Sequence, residues 1–519
     1  MPSPRLAPSR IAVIGAGIGG LVAALELAQK GLEVVVLERA GTPGGKLREA
    51  CLGGLRLDVG PTVLTLRAVF ADIFARAGAR LEDHLTLHPA DILARHAWSA
   101  EERLDLFAAR ERTIDAIGAF AGAAEATGYR RFIADAGRLY AALDASFLRA
   151  GQPSLLGMLR RAGPGGLRAL AGVSRFRTLW QALETYFRDP RLRQLFGRYA
   201  TYCGASPFLA PATLMLIAHV EQEGVWLVEG GMYRLATALA GLATARGAII
   251  RYESEVTSID VASGRVAGVT LASGEVVAAN AVIVNADSRA LAIGLFGPAA
   301  RAALPRQCAR APASLSAITW AMLASARGFP LLRHTVFFAR DYAAEFEAIL
   351  SRGESPAEPT VYVCAEDRGA REAPPPAGAE RLFLIVNAPA ARAARPLTDA
   401  EIERCETRAF SLLERAGLTL EPRPGAMRRT TPAEFASLFP ASEGALYGRA
   451  LHGWRAAFRR PAAPTRLPGL YLAGGSVHPG PGVPMAALSG QLAAARVLAD
   501  LASTSRSRQV AMPGGISMR

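Results

Sequence analysis

One short segment near the start of the chain constrains the fold more than any other. Residues 10–39 read RIAVIGAGIGGLVAALELAQKGLEVVVLER. The apolar run Ile11–Ile14 predicts a strand, Leu21–Gln29 predicts a helix that Gly31 ends, and the following EVVVLE predicts a second strand that closes at Glu38. Strand, helix and strand in this order form a βαβ unit, which places the two strands in a parallel sheet.

The turn between the first strand and the helix has the spacing GxGxxG. Gly15 permits a tight turn, Gly17 lets the backbone approach a pyrophosphate, and Gly20 lets the helix pack on the strand. The helix N-terminus offers N–H groups and a partial positive charge to phosphates, and Glu38 is placed to accept hydrogen bonds from ribose hydroxyls. The predicted nucleotide contacts here are Gly15, Ala16, Gly17, Ile18, Gly19, Gly20, Glu38 and Arg39.

The next segment distinguishes between cofactors. Gly44–Gly45 and the basic Lys46 follow Glu38 closely, and this resembles the extended motif of two-domain FAD proteins. The segment LDVGPTVLT, residues 57–65, resembles the stretch that such oxidoreductases pass beneath the isoalloxazine ring. Nicotinamide dehydrogenases lack both features, so the sequence favours FAD over NAD. The residues expected to line the flavin are Gly45, Lys46, Pro61 and Thr62.

A second glycine turn that leads into a helix lies near the end of the chain, in LYLAGGSVHPGPGVPMAALSGQLAAARVLAD. It predicts a strand over Leu470–Ala473 and a helix from about Met485. In FAD proteins of this type the returning helix directs its N-terminus at the flavin ring, where its dipole stabilises the anionic reduced form. The predicted contacts are Gly474, Gly475, Val483, Pro484 and Met485.

A third return to the nucleotide is predicted between residues 225 and 287. Gly230–Gly231 open a helix, Glu255–Ile259 reads as a strand, and hairpin turns are expected further along at the glycines 264 and 274. Ala281–Asp287 resembles the strand by which such proteins return to the nucleotide, and Val256 is expected to bring a backbone contact to the adenine side.

The composition of the chain limits the kinds of partner that it is expected to bind. The chain has 519 residues and a formal charge of +14, and no basic run interleaved with aromatic residues suggests base stacking. We therefore expect an anionic membrane surface rather than nucleic acid as the partner of the basic charge. Its 5 cysteines are scattered without CxxC spacing, so we expect no metal site and a reducing cytoplasm. No stretch approaches ~20 unbroken apolar residues, so no transmembrane helix is predicted.

Taken in order, these blocks resemble one family. GAGIGGL, LE, GGK, EGGM, VNAD and HPGPGVPMAALSG match the bacterial phytoene desaturases, which are FAD-dependent carotenoid oxidoreductases of the amine-oxidase-like superfamily. The segment Phe439–Pro461 and the terminal SVHPGPGVPM are similar to one branch, the hydroxyneurosporene or methoxyneurosporene desaturases of phototrophic bacteria. That resemblance implies formation of a C-3,4 double bond in a 1-hydroxy or 1-methoxy carotenoid during carotenoid biosynthesis.

The resemblance implies an α/β fold with a Rossmann-like, two-domain FAD-binding architecture and an interleaved α+β substrate domain. We expect FAD-binding parts at 1–85, 223–295 and 438–502, substrate-domain parts at 86–222 and 296–437, and a disordered tail at 503–519. The first substrate-domain part contains an arginine-rich stretch with interleaved aromatic residues, residues 154–199. It is either a surface that docks on the membrane or an arginine-coated helical face over a core.

The reaction implied by the resemblance removes a hydride and a proton from a C–C bond beside a polyene. An Asp-x-x-Arg pair has been proposed for acid–base work in phytoene desaturases, but the nearest match here is Gly157-x-x-Arg160, which lacks the acid. Many relatives also place an acid where this chain has Gly475. The candidates for catalysis are therefore Arg160 and His478, and His478 has the alternative of shaping its loop.

Several alternatives stay open at this point. The same scaffold could carry phytoene desaturation, isomerisation or saturation, or a flavin-free lipid carrier. The sequence leaves the electron acceptor open between a quinone and oxygen, and it leaves the oligomeric state open. The expected location is the cytoplasm, with peripheral attachment to the inner or intracytoplasmic membrane.

Overall fold

The computed structural model describes residues 9–151, 178–372, 374, 376–391, 395–453 and 456–510. The strands, numbered in chain order, are β1 (Arg10–Ile14), β2 (Glu33–Leu37), β3 (Glu49–Leu52), β4 (Leu55–Asp58), β5 (Leu87–Pro89), β6 (Ile92–Ala97), β7 (Arg103–Phe107), β8 (Trp226–Val228), β9 (Ile249–Arg251), β10 (Val256–Ala262), β11 (Arg265–Leu271), β12 (Val276–Ala278), β13 (Ala281–Val284), β14 (Ser316–Arg327), β15 (His334–Phe337), β16 (Val361–Ala365), β17 (Glu380–Ala388), β18 (Thr419–Thr430) and β19 (Leu470–Leu472).

The helices, numbered in the same way, are α1 (Ile18–Ala28), α2 (Arg67–Arg76), α3 (Arg110–Ala121), α4 (Ala123–Leu143), α5 (Leu179–Leu183), α6 (Pro190–Gly197), α7 (Leu216–Gln222), α8 (Tyr233–Ala245), α9 (Ser288–Ile293), α10 (Pro298–Arg301), α11 (Tyr342–Glu347), α12 (Asp399–Arg415), α13 (Pro432–Leu438) and α14 (Val483–Val510). None of the helices in these described ranges is long and apolar enough to cross a bilayer.

A parallel five-stranded sheet in the order β19-β13-β1-β2-β9 joins the beginning, middle and end of the chain. Its central strands β1 and β13 are almost entirely buried, as strands covered on both faces must be. Helix α1 packs against this sheet and is buried at every position, because α8 and α14 cover the side that faces away from the strands. The predicted βαβ unit and the predicted return strands are confirmed.

Two boundaries differ from the sequence expectations. Helix α1 begins at Ile18 rather than Leu21, because the last two glycines of the turn form its first turn. Helix α14 begins at Val483 rather than at about Met485 and extends to Val510, and the disordered tail expected over 503–519 stays a prediction. Residues 503–510 are polar but contain no glycine or proline, so the sequence has no helix-breaking residue before Val510. Residues 511–519 lie outside the described residues.

The predicted hairpins lie at the edge of the nucleotide-binding sheet. Strands β10, β11 and β12 pair in antiparallel fashion, and Gly264 and Gly274 occupy the two turns with φ of +73° and +86°. A positive φ is costly for residues with a Cβ, so glycine is the favoured residue at both turns.

A second sheet has seven strands in the order β18-β14-β17-β16-β15-β6-β7. It is the main sheet of the half of the molecule that does not contain the five-stranded sheet. Helix α12 packs on one face through Ile402, Cys405 and Ala409. The opposite face meets the β3–β4 hairpin and a helical core that α4, α6 and α7 build. The division of the chain into the domains given above stays a prediction.

The described part of the arginine-rich stretch packs inward. Phe187 is fully buried and stacks on Phe196 at 4.9 Å between ring centroids. Tyr186 is half-buried and donates a hydrogen bond to Asp135 at 2.8 Å. The aromatic residues of 178–199 thus pack into a core, and docking of the arginine-bearing outer face on the membrane stays a prediction. Residues 152–177 of this stretch lie outside the described residues.

Candidate functional site

The first glycine loop has the geometry that the GxGxxG spacing predicts. Gly15 follows β1 with φ of +95°. A Cβ on Gly20 would stand 2.1 Å from the Gly15 carbonyl oxygen, so only glycine allows helix and strand to meet this closely. Gly17 is the N-cap of α1, and no side chain caps the helix. Its first N–H groups and its dipole therefore face the loop without a competing side-chain acceptor.

The second glycine pair and Glu38 lie directly against this loop. Gly44 donates its N–H to the Ala16 carbonyl at 2.8 Å. The buried Glu38 carboxylate accepts hydrogen bonds from the backbone N–H of Ala16 at 2.6 Å and of Ala40 at 2.9 Å. The structure thus gives Glu38 a role in holding the loop, while its contact with ribose stays a prediction. The neighbouring Arg39 is exposed and donates to the Ser437 carbonyl at 3.2 Å.

The middle return segment, predicted between residues 225 and 287, also contacts Glu38. Ser254 donates its N–H to the Glu38 carbonyl at 2.8 Å, and β10 begins two residues later at Val256. The predicted adenine-side contact of Val256 is therefore next to the predicted ribose-side residue. Binding of the nucleotide by Val256 remains a prediction.

The C-terminal return meets the first loop through Asn285, a residue that the sequence analysis did not single out. The Asn285 amide donates to the Gly15 carbonyl at 3.3 Å. A Cβ on Gly17 would stand 2.7 Å from Asn285 Nδ2, and a Cβ on Gly19 would stand 2.8 Å from both Asn285 Oδ1 and the Gly474 nitrogen. Gly474 itself donates to Ser489 Oγ at 2.7 Å. The middle and terminal segments therefore meet the first segment at the N-terminus of α1.

A buried arginine, Arg460, holds the terminal loop. Its Nη1 donates to the Gly475 carbonyl at 3.2 Å, and its Nη2 donates to the carbonyls of Tyr447 at 3.1 Å and Arg449 at 2.9 Å. Burial lowers the pKa of Arg460 to about 10, and the guanidinium stays charged at neutral pH. Arg460 thus fixes the backbone of Gly475, the position where the sequence analysis noted that an acid is missing. The segment Phe439–Pro461, which carries the family resemblance, contains Arg460, but no motif distinguished this residue from its neighbours.

His478 lies in the same loop and is buried against Phe147, with the two rings edge to face at 4.9 Å between centroids. Its backbone N–H donates to the Pro461 carbonyl at 2.8 Å. Within the described chain neither ring nitrogen has a hydrogen-bond partner of good geometry. The backbone groups of Ala150 and Phe147 lie near the ring and act to raise its pKa, against the effect of burial. Desolvation lowers the pKa of His478 to about 4, so the imidazole is neutral at pH 7.

The basic residue of the GGK motif is also buried. Lys46 Nζ donates to the Leu446 carbonyl at 2.5 Å and lies 5.4 Å from the ring centroid of Phe439. Burial lowers the pKa of Lys46, and the Asp287 carboxylate opposes this effect. The GGK motif thus connects the N-terminal segment with the start of the C-terminal segment at Leu446. This contact lies near Asp287, which follows β13.

The segment predicted to pass beneath the flavin reaches the second sheet. Thr62 Oγ1 lies 2.7 Å from the Tyr362 hydroxyl, and both Pro61 and Thr62 are half-buried. Met485, in the first turn of α14 after Val483 and Pro484, packs against the cores of both halves of the molecule. These predicted residues therefore lie at the junction of the two halves. Arg160, the other catalytic candidate, lies outside the described residues.

These contacts fit a dinucleotide. An uncapped helix N-terminus, a wall of glycines without room for a Cβ and a neighbouring carboxylate suit a diphosphate followed by a ribose. Among the described residues there is no group of three His, Cys, Asp or Glu side chains that could hold a metal ion. The site and the sheet define a two-domain, FAD-dependent oxidoreductase.

Comparisons with known proteins give the family. The model of the family described as flavin containing amine oxidoreductase matches residues 18–498. Hydroxyneurosporene desaturase of Rubrivivax gelatinosus is 52% identical over 517 residues, covering 98% of this chain and 97% of the relative. Hydroxyneurosporene desaturase of Cereibacter sphaeroides is 47% identical over 504 residues, covering 96% of this chain and 99% of the relative. The chain belongs to the flavin-containing amine oxidoreductases and, within them, to the phytoene-desaturase-type carotenoid oxidoreductases.

Solved structures share the fold. An oxidoreductase from Methanosarcina mazei superimposes with a TM-score of 0.59 at 16% identity, covering 93% of this chain and 99% of that chain. The expected fold class, the family resemblance and the choice of FAD are confirmed. The individual cofactor contacts stay predictions.

Proposed function

We propose that this protein is an FAD-dependent desaturase that introduces a C-3,4 double bond into a 1-hydroxy or 1-methoxy carotenoid. The observation that carries the proposal is 52% identity over nearly the full chain to a relative named hydroxyneurosporene desaturase. It is supported by the glycine cradle at α1, where the first, middle and terminal segments converge.

We further propose that FAD is held by the residues predicted from the sequence, with Asn285 added to them. The uncapped N-terminus of α1 would bind the diphosphate, and the Glu38 carboxylate, which also holds the backbone of Ala16, would bind the ribose. The terminal loop that Arg460 fixes would present its backbone to the flavin ring. The remaining proposed contacts are Gly15, Gly17, Ile18, Gly19, Gly20, Arg39, Gly45, Lys46, Pro61, Thr62, Val256, Gly474, Gly475, Val483, Pro484 and Met485.

Bound FAD supplies an acceptor for the hydride that leaves the substrate. The protein's task is then to place the C–C bond against the cofactor and to exclude water. The positive charge left on the substrate spreads over the polyene, so a strong base is not required to take up the proton. A buried, neutral His478 with a pKa of about 4 is a weak base, which agrees with a reaction that needs no strong base.

Product analysis in cells tests the proposal. Cells that accumulate 1-hydroxyneurosporene and express this chain should convert it to a carotenoid with one further conjugated double bond, and cells that accumulate phytoene should not. Conversion of phytoene alone would favour the alternative reaction of the family. A purified protein without a flavin absorption spectrum would favour the lipid-carrier alternative.

Peripheral attachment to the membrane is part of the proposal, since the substrate is lipid-soluble and the chain carries a charge of +14. The electron acceptor is proposed to be either a quinone of the same membrane or oxygen. Flotation with vesicles that contain anionic lipid should carry the protein to the top fraction at low salt. Protein that stays in the soluble fraction at low salt would contradict the attachment.

A further inference from the structure

The face of the second sheet that lies opposite α12 carries polar side chains where a core would be apolar. On this face His96 of β6 and Tyr362 of β16 flank Val336 of β15 in register. His334 lies two residues before Val336, so its side chain is on the same face. The rings of His334 and Tyr362 are stacked with centroids 6.1 Å apart. These polar groups lie next to the half of the molecule that is predicted to hold FAD.

Tyr362 connects this face to the predicted flavin segment. Its hydroxyl lies 2.7 Å from Thr62 Oγ1 and 2.8 Å from His334 Nδ1. His334 is buried, and within the described chain its Nε2 has no hydrogen-bond partner. A buried polar atom without a partner costs free energy, which a polar group of a bound molecule would recover. The pair therefore offers one unused hydrogen-bonding atom directly beside Thr62.

Among the described residues, Arg198 and Arg333 are the charged groups that act on the pair, and both already make hydrogen bonds elsewhere. The Arg198 guanidinium lies 5.7 Å from the Tyr362 ring centroid and donates from Nη1 to the Tyr202 hydroxyl at 3.1 Å. Tyr202 in turn donates to Glu221 at 3.0 Å. Desolvation and the nearby Arg333 and Arg198 lower the pKa of His334 to about 3, so its ring is neutral. The unused atom is thus suited to a neutral oxygen rather than to an ion.

We propose that Tyr362 and His334 bind the oxygen on C1 of the carotenoid and so determine selectivity for oxygenated substrates. This inference rests on the proposed function. Three bonds, O–C1, C1–C2 and C2–C3, separate that oxygen from C3, the nearer of the two carbons that lose hydrogen. The group that binds the oxygen must therefore lie beside the flavin segment, as the hydroxyl of Tyr362 does through Thr62.

The hydrogen bonding accounts for both substrates. A neutral imidazole carries one proton, and the proposal assigns it to Nε2, the tautomer in which the Tyr362 hydroxyl donates to Nδ1. Nε2 then donates to the substrate oxygen. A hydroxyl oxygen and a methoxy oxygen both accept a hydrogen bond, so the same site takes either, whereas an unoxygenated end leaves Nε2 unpaired.

The test compares binding of 1-hydroxyneurosporene and neurosporene. The holoprotein is first reduced with dithionite so that no turnover occurs, and each carotenoid is titrated while the shift of its absorption band is followed. The wild type should bind the hydroxylated carotenoid more tightly. Tyr362→Phe and His334→Asn, which keeps a polar atom near Tyr362 but removes Nε2, should each reduce that preference about tenfold.

Tyr129→Phe is the matched control. It removes another buried phenol hydroxyl, one that donates to Gln222 at 2.8 Å, and it should leave the preference unchanged. An unchanged preference in both test variants would overturn the inference. Should Tyr362→Phe lose its flavin, His334→Asn decides alone, and loss of flavin from both would mark the pair as structural and overturn it as well.

The outcomes separate this inference from the proposed function. A wild type that binds the hydroxylated carotenoid preferentially but never desaturates it would remove the proposed function and leave the binding site. A wild type that desaturates the hydroxylated carotenoid while both variants keep their preference would remove the binding site alone.

Discussion

Gly490 of α14 lies against Gly19 of α1 so closely that a Cβ at position 490 would stand 2.3 Å from the Gly19 carbonyl oxygen. The two helices belong to opposite ends of the chain. Their contact brings the terminal glycine turn to the first one, because a Cβ on Gly19 would in turn meet the Gly474 nitrogen at 2.8 Å. A side chain at either position would push the two halves of the proposed FAD site apart.

Gly490→Ala should therefore destabilise the fold and weaken flavin binding together. Overpacking at a tight contact costs about 1–3 kcal/mol, and we expect a lower Tm and a lower ratio of flavin to protein after purification. Gly241→Ala in α8 is the control, since a Cβ there meets nothing within 4 Å, and it should keep flavin content and Tm or raise the Tm slightly. Equal flavin content in the two variants would contradict the account of the contact.

Arg460→Leu should release the terminal loop. The change removes hydrogen bonds to three carbonyls and leaves them buried, at a cost of about 3 kcal/mol in the free energy of unfolding. Denaturant unfolding of the apoprotein and the flavin content of the holoprotein measure the two effects. The exposed neighbour Arg459 serves as the control, and Arg459→Leu should change neither. An Arg460→Leu protein that keeps its flavin and its stability would show that the loop is held by other contacts.

The part of the site that follows local sequence rules was predictable. Gly15, Gly17 and Gly20 are dictated by turn geometry and by helix–strand packing, and these forces act within a few residues. Asn285 and Arg460 were not identified, because their importance depends on which distant backbone groups they meet after folding. VNAD was recognised as a strand, but nothing in those letters indicates that the amide reaches residue 15.

The same limit applies to the second sheet. His334, Tyr362 and Thr62 are far apart in the sequence. The register of β15 and β16 brings His334 to Tyr362, and the loop after β4 brings Thr62 to the Tyr362 hydroxyl. The inward packing of Phe187 also depends on tertiary context, since an arginine-rich stretch with aromatics reads equally as a membrane surface. The extension of α14 to Val510 was not expected, because the polar residues after 502 carry no apolar helical pattern although no helix breaker is present.

Glu366→Gln should make stability less dependent on pH. Burial first, and then the neighbouring Asp58 carboxylate, raise the pKa of Glu366 from 4.5 to about 8, although the Arg381 guanidinium lies 3.5 Å away. Between these values the folded state keeps a proton that the unfolded chain loses, so the wild type loses stability as pH rises from 4.5 to about 8. Glutamine does not titrate.

The stability of Glu366→Gln relative to the wild type should therefore rise by roughly 3 kcal/mol between pH 5 and pH 8, measured by urea unfolding. Glu403→Gln, at an exposed position of α12, should show no such trend. A difference between Glu366→Gln and the wild type that stays constant over this pH range would contradict the raised pKa.

His478→Gln should keep its flavin and retain turnover within about threefold, because the substrate's delocalised charge makes a strong base unnecessary. Loss of an acid–base residue typically costs about 10²–10⁴-fold in rate. Anaerobic turnover of the two proteins from pH 6 to pH 8 measures the difference, with His219→Gln as a control for removal of a part-buried ring. A loss of about a hundredfold with intact flavin would instead make His478 a catalytic residue.

The most direct test of the central claim is a single anaerobic turnover. The reconstituted holoprotein is mixed with 1-hydroxyneurosporene, and the absorption bands of the oxidised flavin and of the polyene are followed in the same sample. We predict that the flavin band bleaches while the polyene band shifts to the red, with one flavin reduced for each double bond formed. A red shift without loss of oxidised flavin, or a flavin that bleaches without a change in the polyene, would contradict the account.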